Sequence, residues 1–289
     1  MRLGCADSRE QPATAIFQMT TDDYVLGTHD AEIARLGLQH RVWRPYMLDA
    51  WISARMTSGS RVIDFGAGPG FAALDAAEIV GPRGEVLAIE RSHQFLEFAQ
   101  REIERRGASC VRLIAGDLMR DGAGFEGFDV AWCRWVASFV MQPAKLVQRI
   151  VRSLRIGGRA AIHEYQNYAT WRMIPTSLRV DDFVREVMAS WRDSGGEPDI
   201  AAALIPLMQE AGLSIIELRP LVFAVRPADF MWQWPAAFIQ SNSQRLVELG
   251  KVSEQWAYEL QSEFAALSAN PNAVLVTPMV MQIIAERIR

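Results

Sequence analysis

The chain has 289 residues and a formal net charge of −4, with 30 basic against 34 acidic side chains. Half of it is hydrophobic and 22% is charged, the balance of a folded chain and not of a disordered one. That near-neutral balance supplies no global basic field for a phosphate backbone, so nucleic acid is not expected as a partner.

Residues 1–20 read as a loose arm. A helix can start at Thr28, with Thr28 or Asp30 as N-cap and Ile33 and Leu36 on one face; Pro45 should kink or restart it. Strands are expected at 61–65, 85–89, 111–115, 128–133, 159–164, 213–225 and 273–284, with helical patterns between them. The clearest helix spans 92–106. Ser92 caps it, Phe95, Ala99 and Ile103 form its buried stripe, Gly107 ends it, and Glu97/Arg101 and Glu102/Arg106 are i,i+4 pairs on its wet face. Strands alternating with helices imply right-handed crossovers. The fold expected is α/β: a Rossmann-like, seven-stranded, mostly parallel sheet with helices on both faces and helical cap insertions. In chain order this gives an N-terminal arm and cover helices (1–56), a core running from the first strand to the fifth (57–164) and a cap insertion (165–198). A core helix with a sixth strand (199–225), a helical insertion (226–272) and a final strand (273–289) follow.

The sharpest feature is Val62-Ile63-Asp64-Phe65-Gly66-Ala67-Gly68-Pro69-Gly70, a buried strand running into a loop with glycine at every second position. Glycine there lets the backbone turn tightly and approach a ligand where a Cβ would collide. Twenty residues beyond Gly70 the next strand ends in Glu90, an acid placed to accept from both hydroxyls of a ribose. A dinucleotide fingerprint would read G-x-G-x-x-G, but here the third glycine comes one residue early and Phe71 fills its slot. Asp64 at the strand end would repel a pyrophosphate and suits an amine-bearing cationic ligand. A nicotinamide oxidoreductase is therefore disfavoured.

With these residues the chain resembles the class I S-adenosylmethionine-dependent methyltransferases, in the small-molecule branch that includes the ubiquinone/menaquinone-biosynthesis enzymes. The resemblance runs over roughly residues 24–221. It implies S-adenosylmethionine as cofactor, with Asp64, Gly66, Gly68 and Gly70 around the methionine end, Glu90 on the ribose and Arg91 along the adenine. It further implies that Asp117 accepts from the adenine amino group, that Leu118 donates its backbone, and that Cys133 and Arg134 face the methionine arm. Tyr24, Gln39 or Arg41, in the segment resembling the family's N-terminal cover, would close over the cofactor carboxylate.

Candidate bases for the acceptor are His163 and Glu164, at the carboxyl end of the fifth strand, where alternation sends them to opposite faces. Nine Trp and twelve Met need a place in the fold. Tyr165, Tyr168 and Trp171 in one addition, and Trp232 and Trp234 in the other, are read as an apolar acceptor pocket. The function expected is methyl transfer to O, C or N of a small apolar or aromatic molecule, a specialised metabolite or quinone-like compound. A cofactor-binding scaffold that transfers no methyl group is the alternative.

Cys5, Cys110 and Cys133 form no Cys-x-x-Cys and cannot pair completely, which favours a reducing, cytoplasmic compartment and disfavours arsenic methylation. The four histidines have no metal-ligand spacing, so no metal is expected and they read as solvated or structural. No apolar run of 18 residues occurs, so no membrane partner is expected. The two additions form a cap or the surface of a homodimer.

Overall fold

The computed structural model describes residues 30–120 and 124–289. A long helix α1 (Asp30–Ser53) leads into β1 (Arg61–Phe65), α2 (Phe71–Val80), β2 (Glu85–Glu90), α3 (His93–Arg106), β3 (Val111–Ala115), β4 (Phe128–Arg134), α4 (Pro143–Ser153) and β5 (Leu154–Tyr165). Then come β6 (Arg172–Ile174), α5 (Leu178–Asp193), α6 (Ala201–Glu210), β7 (Leu213–Leu221), β8 (Ala224–Val225), α7 (Gln233–Glu248), α8 (Glu254–Ala269), β9 (Val274–Val276) and β10 (Val280–Arg287).

Seven strands form one sheet in the order β3-β2-β1-β4-β5-β10-β7. The first five are mutually parallel, and β10 runs antiparallel to both its neighbours. A small antiparallel sheet, β6-β9-β8, stands apart from it. The segment 273–284, read as one strand, is therefore two strands in two sheets. Pro278 has no N–H to continue a ladder. Beside it Thr277 bonds Phe223 through both its backbone and its hydroxyl, and Met279 N donates to Thr170 Oγ1 at 2.8 Å. The segment 213–225 divides likewise, β7 staying in the large sheet and β8 joining the small one.

Strand alternation sorts the core onto two faces. Ile63, Phe65, Leu87, Ile89, Ala131, Cys133 and Ile162 pack with α4 and α6 on one side. Val62, Val86, Val130, Trp132 and Ala161 pack under α1 and α2 on the other. Register pairs Asp64 with Trp132 and Arg134 with His163, so Asp64, Arg134 and His163 share the face that α1 covers. Pro45 neither ends nor restarts α1. It lies on the exposed side, while Val42, Trp43, Met47, Ala50 and Trp51 bury the opposite stripe and hold both turns in place.

Helix α3 follows its sequence closely: Ser92 Oγ accepts from Phe95 N, Phe95, Ala99 and Ile103 are its buried residues, and Gly107 ends it in the left-handed region. Of its two expected i,i+4 pairs, Glu102/Arg106 forms. Glu102 bonds Arg105 at 2.7 Å more closely than Arg106 at 3.5 Å, and Glu97/Arg101 is not among the ion pairs of the described residues. The third core cluster is aromatic and lies between α1, α5, α7, α8 and the small sheet. No helix among the described residues is long and apolar enough to cross a membrane.

Candidate functional site

The carboxyl ends of β1, β2 and β4 meet at the glycine loop. Gly66 N and Ala67 N both donate to Ile89 O at 2.9 Å, which ties the loop to β2. Gly66 has φ +72, and a Cβ there would stand 2.4 Å from Val136 Cγ2. At Gly70, with φ +81, a Cβ would come within 2.9 Å of the Ala99 methyl, so the loop also sets how closely α2 approaches α3. The Glu90 carboxylate braces this arrangement, accepting from Gly68 N at 2.9 Å, Arg91 N at 2.9 Å and Ser92 N at 2.8 Å.

Two chambers open from the loop. The larger, about 320 Å³, is lined by Gly66, Ile89, Glu90, Arg91, Phe95, Asp117, Leu118, Trp135 and Val136, among others. The smaller, about 100 Å³, is lined by Gln39, His40, Asp64, Gly66, Phe71, Trp132, Arg134 and Trp135, among others. Gly66 and Trp135 belong to both walls. Trp135 holds φ +54, a left-handed conformation that is strained for a bulky side chain. Its ring stacks between Tyr165 and Trp234, with centroids at 5.6 and 5.9 Å.

The smaller chamber contains buried polar groups with unused capacity. Asp64 is 3% exposed and its Oδ2 has no partner. Burial pushes its carboxyl up to about 7, against the lowering influence of Arg134. Arg134 Nη1 is likewise buried and unpartnered. Its Nη2 donates to His40 Nδ1 at 3.3 Å, and burial pulls the guanidinium down to about 10, which leaves it charged at neutral pH. Gln39 faces the chamber, but its Oε1 is taken by Arg35 Nη1 at 2.9 Å and Trp234 Nε1 at 3.3 Å.

An Asp64→Asn protein should consequently be more stable than wild type without ligand. The folded-state pKa lies above the unfolded one, so the wild-type penalty is small near pH 4, grows as pH rises, and is complete above about 7. Thermal melts should show an advantage on the order of 1–3 kcal/mol at pH 8 that shrinks towards pH 4. Equal melting temperatures at pH 8 would contradict this.

The other sequence-derived residues divide. Leu118 lines the larger chamber, and Asp117 does too while holding its own turn by accepting from Met119 N at 2.8 Å. Cys133 lines neither chamber: it is 1% exposed, on the sheet face opposite Asp64, and burial raises its thiol pKa. Tyr24 lies outside the described residues.

His163 and Glu164 do not reach a chamber. His163 is fully buried beneath Trp132, with ring centroids 5.0 Å apart, and burial depresses it to about 3. Gln282 gives its amide protons to Glu217 at 2.7 Å, so its oxygen accepts from His163 Nε2 at 3.0 Å and the imidazole stays neutral. Glu164, also fully buried, accepts from Val136 N and Ala137 N at 2.6 Å each and from Ser138 Oγ at 2.7 Å. It fixes the turn that follows β4 and is not placed to take an acceptor proton. Tyr165, Tyr168, Trp171, Trp232 and Trp234 are all at most 5% exposed and form a packed aromatic core, not the lining of either chamber. Trp232, for instance, stacks on Phe264 at 5.6 Å.

Sequence reading missed two residues at the site. His40 looked solvated or structural, yet it is 7% exposed and hydrogen-bonds Asp75 Oδ2 at 3.1 Å. Asp75 stands on α2 and also accepts from Arg44 Nε at 2.6 Å. Only the i,i+4 offset of His40 and Arg44 on one helix hinted at a shared partner.

A methyltransferase-domain family model matches residues 56–198, which takes in the glycine loop, Glu90, Asp117 and the whole run from β1 to α5. That stretch of the chain is a class I S-adenosylmethionine-dependent methyltransferase domain. Among curated methyltransferases it is similar to an arsenite methyltransferase of Halobacterium salinarum, 25% identical over 63% of this chain and 44% of that protein. It therefore spans less than half the length of that relative. A protein-L-isoaspartate O-methyltransferase of Pyrococcus horikoshii is 27% identical over 66% of this chain and 79% of its own length. Among solved structures the YcgJ protein of Bacillus subtilis shares the fold at TM-score 0.56, with 16% identity over 86% of this chain and 99% of that one. The two methyltransferases, by their names, act on widely different acceptors.

Proposed function

We propose that this methyltransferase uses S-adenosylmethionine to methylate O, C or N of a small, largely apolar or aromatic molecule. The single observation behind the cofactor assignment is the pair of unpartnered, buried polar atoms in the smaller chamber, Asp64 Oδ2 and Arg134 Nη1. One carboxylate oxygen and one guanidinium nitrogen, each buried and without a partner in one chamber, match an amino acid, with its ammonium towards Asp64 and its carboxylate towards Arg134. The larger chamber, with Glu90 at its rim and Phe95 and Leu118 in its walls, suits the nucleoside.

The bound cofactor supplies a methyl group on a sulfonium centre, already activated for displacement with a neutral thioether as leaving group. The chain's contribution is alignment and exclusion of water. Gly66 and Trp135 stand at the junction of the two chambers, and α1 covers the face that carries Asp64 and Arg134. With His163 and Glu164 engaged elsewhere, no proton transfer is assigned to either. Orientation alone can supply about 7–11 kcal/mol of barrier lowering. The apolar walls of the larger chamber, Ile89, Phe95, Leu118 and Val136, go with an apolar acceptor beside the cofactor. Arsenite is not favoured, because its thiolate chemistry needs grouped cysteines. Of the two cysteines among the described residues, Cys110 precedes β3 and Cys133 is the penultimate residue of β4, with two strands between them in the sheet.

Glu90→Ala should weaken S-adenosylhomocysteine binding by about a hundredfold or more in calorimetry, because charge-assisted hydrogen bonds contribute about 1.5–3 kcal/mol each. Unchanged affinity would sink the cofactor assignment. A labelled-methyl screen of phenol, indole, quinone and amine acceptors then locates the acceptor atom. Cofactor binding with no transfer to any acceptor would favour the scaffold reading.

A further inference from the structure

The ring of His40 and the ring of Phe71, stacked with centroids 5.7 Å apart, form a partition. On one side lies the small chamber with Asp64 and Arg134; on the other is an outer cavity of about 650 Å³, lined by Arg41, Arg44, Asp75 and Phe98 among others. Through the partition runs a chain of three side chains from three elements. Asp75 Oδ2 on α2 meets His40 Nε2 on α1 at 3.1 Å, and His40 Nδ1 meets Arg134 Nη2 at the end of β4 at 3.3 Å.

The protons in this chain are determined by its ends. A guanidinium has only donors, so His40 Nδ1 must be the acceptor. The single imidazole proton is then on Nε2, where it donates to the Asp75 carboxylate. The other tautomer, or an imidazolium, would set a donor against a donor at Arg134. Arg44 Nε holds the same Asp75 oxygen at 2.6 Å, which keeps the carboxylate ionised and in place. With Nη2 occupied by His40, the unpartnered Nη1 is the edge of the guanidinium left for a ligand.

We propose that His40 and Asp75 are positioning residues for Arg134, turning the guanidinium so that its Nη1 receives the carboxylate of an amino-acid ligand in the small chamber. This rests on the cofactor reading above, and the probes separate the two. S-adenosylhomocysteine carries the amino-acid arm, whereas 5′-methylthioadenosine keeps the adenosine and thioether and lacks the ammonium and carboxylate.

Calorimetric titration of wild type, His40→Phe and His40→Asn with both compounds tests it. His40→Phe should lose about tenfold or more of its affinity for S-adenosylhomocysteine, the worth of one charge-assisted hydrogen bond. It should bind 5′-methylthioadenosine as wild type does. His40→Asn, whose side-chain oxygen stands near the position of Nδ1, should recover part of the loss. Nitrogen NMR of histidine-labelled wild-type protein should show His40 protonated at Nε2. Equal losses for both ligands, no loss for S-adenosylhomocysteine, or a proton on Nδ1 would each overturn the proposal. Failure of wild type to bind either compound would overturn the cofactor reading and this inference with it.

Discussion

A Glu164→Ala protein should lose about 3–5 kcal/mol of stability, the cost of deleting one partner from a buried charged cluster. Two backbone N–H groups and one hydroxyl, those of Val136, Ala137 and Ser138, would be left without their acceptor. Each buried donor so stranded costs about 1–3 kcal/mol before relaxation. The melting temperature should fall by roughly 10 °C. Glu164→Gln is the informative companion, because an amide oxygen can still accept from the two backbone groups while its NH2 donates to Ser138 Oγ. Burial holds the Glu164 carboxyl at about 7, above its unfolded value. Wild type therefore loses stability as pH rises towards 7, and Glu164→Gln should not show that decline. Thermal melts at pH 5 and pH 8 separate the two. Were Glu164→Ala to melt like wild type, the cluster would have no role in stability.

Gly66→Ala should remove cofactor binding, weakening S-adenosylhomocysteine by more than about a hundredfold, a loss of roughly 2.7 kcal/mol or more. Two separate penalties meet at this position. The backbone sits at φ +72, and the added methyl would lie 2.4 Å from Val136 Cγ2. Val136 lines the larger chamber and belongs to the turn that Glu164 fixes, so it cannot yield cheaply. Gly59→Ala is the control. Its φ is +84, yet nothing lies within 4 Å of the added Cβ, so it pays only the conformational cost of about 1–2 kcal/mol. Adding Val136→Ala to Gly66→Ala should restore part of the affinity, while Gly59→Ala should bind like wild type. Full binding by Gly66→Ala alone would refute the close-approach argument.

What could be read from the sequence was local. The Ser92 cap, the Phe95/Ala99/Ile103 stripe and the Gly107 stop are set by neighbours within one helix, and they appear as expected. The succession of strand, glycine loop, helix and Glu90 is equally short-range, and β1, α2 and β2 follow one another as it predicts. The misreadings come from contacts between distant segments. His163 looked available because its strand end was known, but β10 brings Gln282 opposite it across 119 residues. The aromatics of the two additions suggested a pocket, since composition cannot distinguish a lined cavity from a filled one. Packing against Trp43 of α1 fills it: Trp135 and Trp234 stand at 5.2 and 4.9 Å from that ring. His40 and Asp75, 35 residues apart on two helices, share no periodic signature at all.

The placement of β10 also bears on how the chain is assembled. The last of this sheet's strands in chain order lies between β5 and β7, bonded to both along its length. Until residues 280–287 have left the ribosome, β5 has an open edge and β7 has no strand to pair with. The half that carries the glycine loop, β1 to β4, can pair as soon as it emerges, whereas the far half of the sheet must wait for residues 280–287. An emerging chain would therefore carry a formed glycine loop beside an unsealed, hydrophobic strand edge, the kind of surface that invites pairing with other chains.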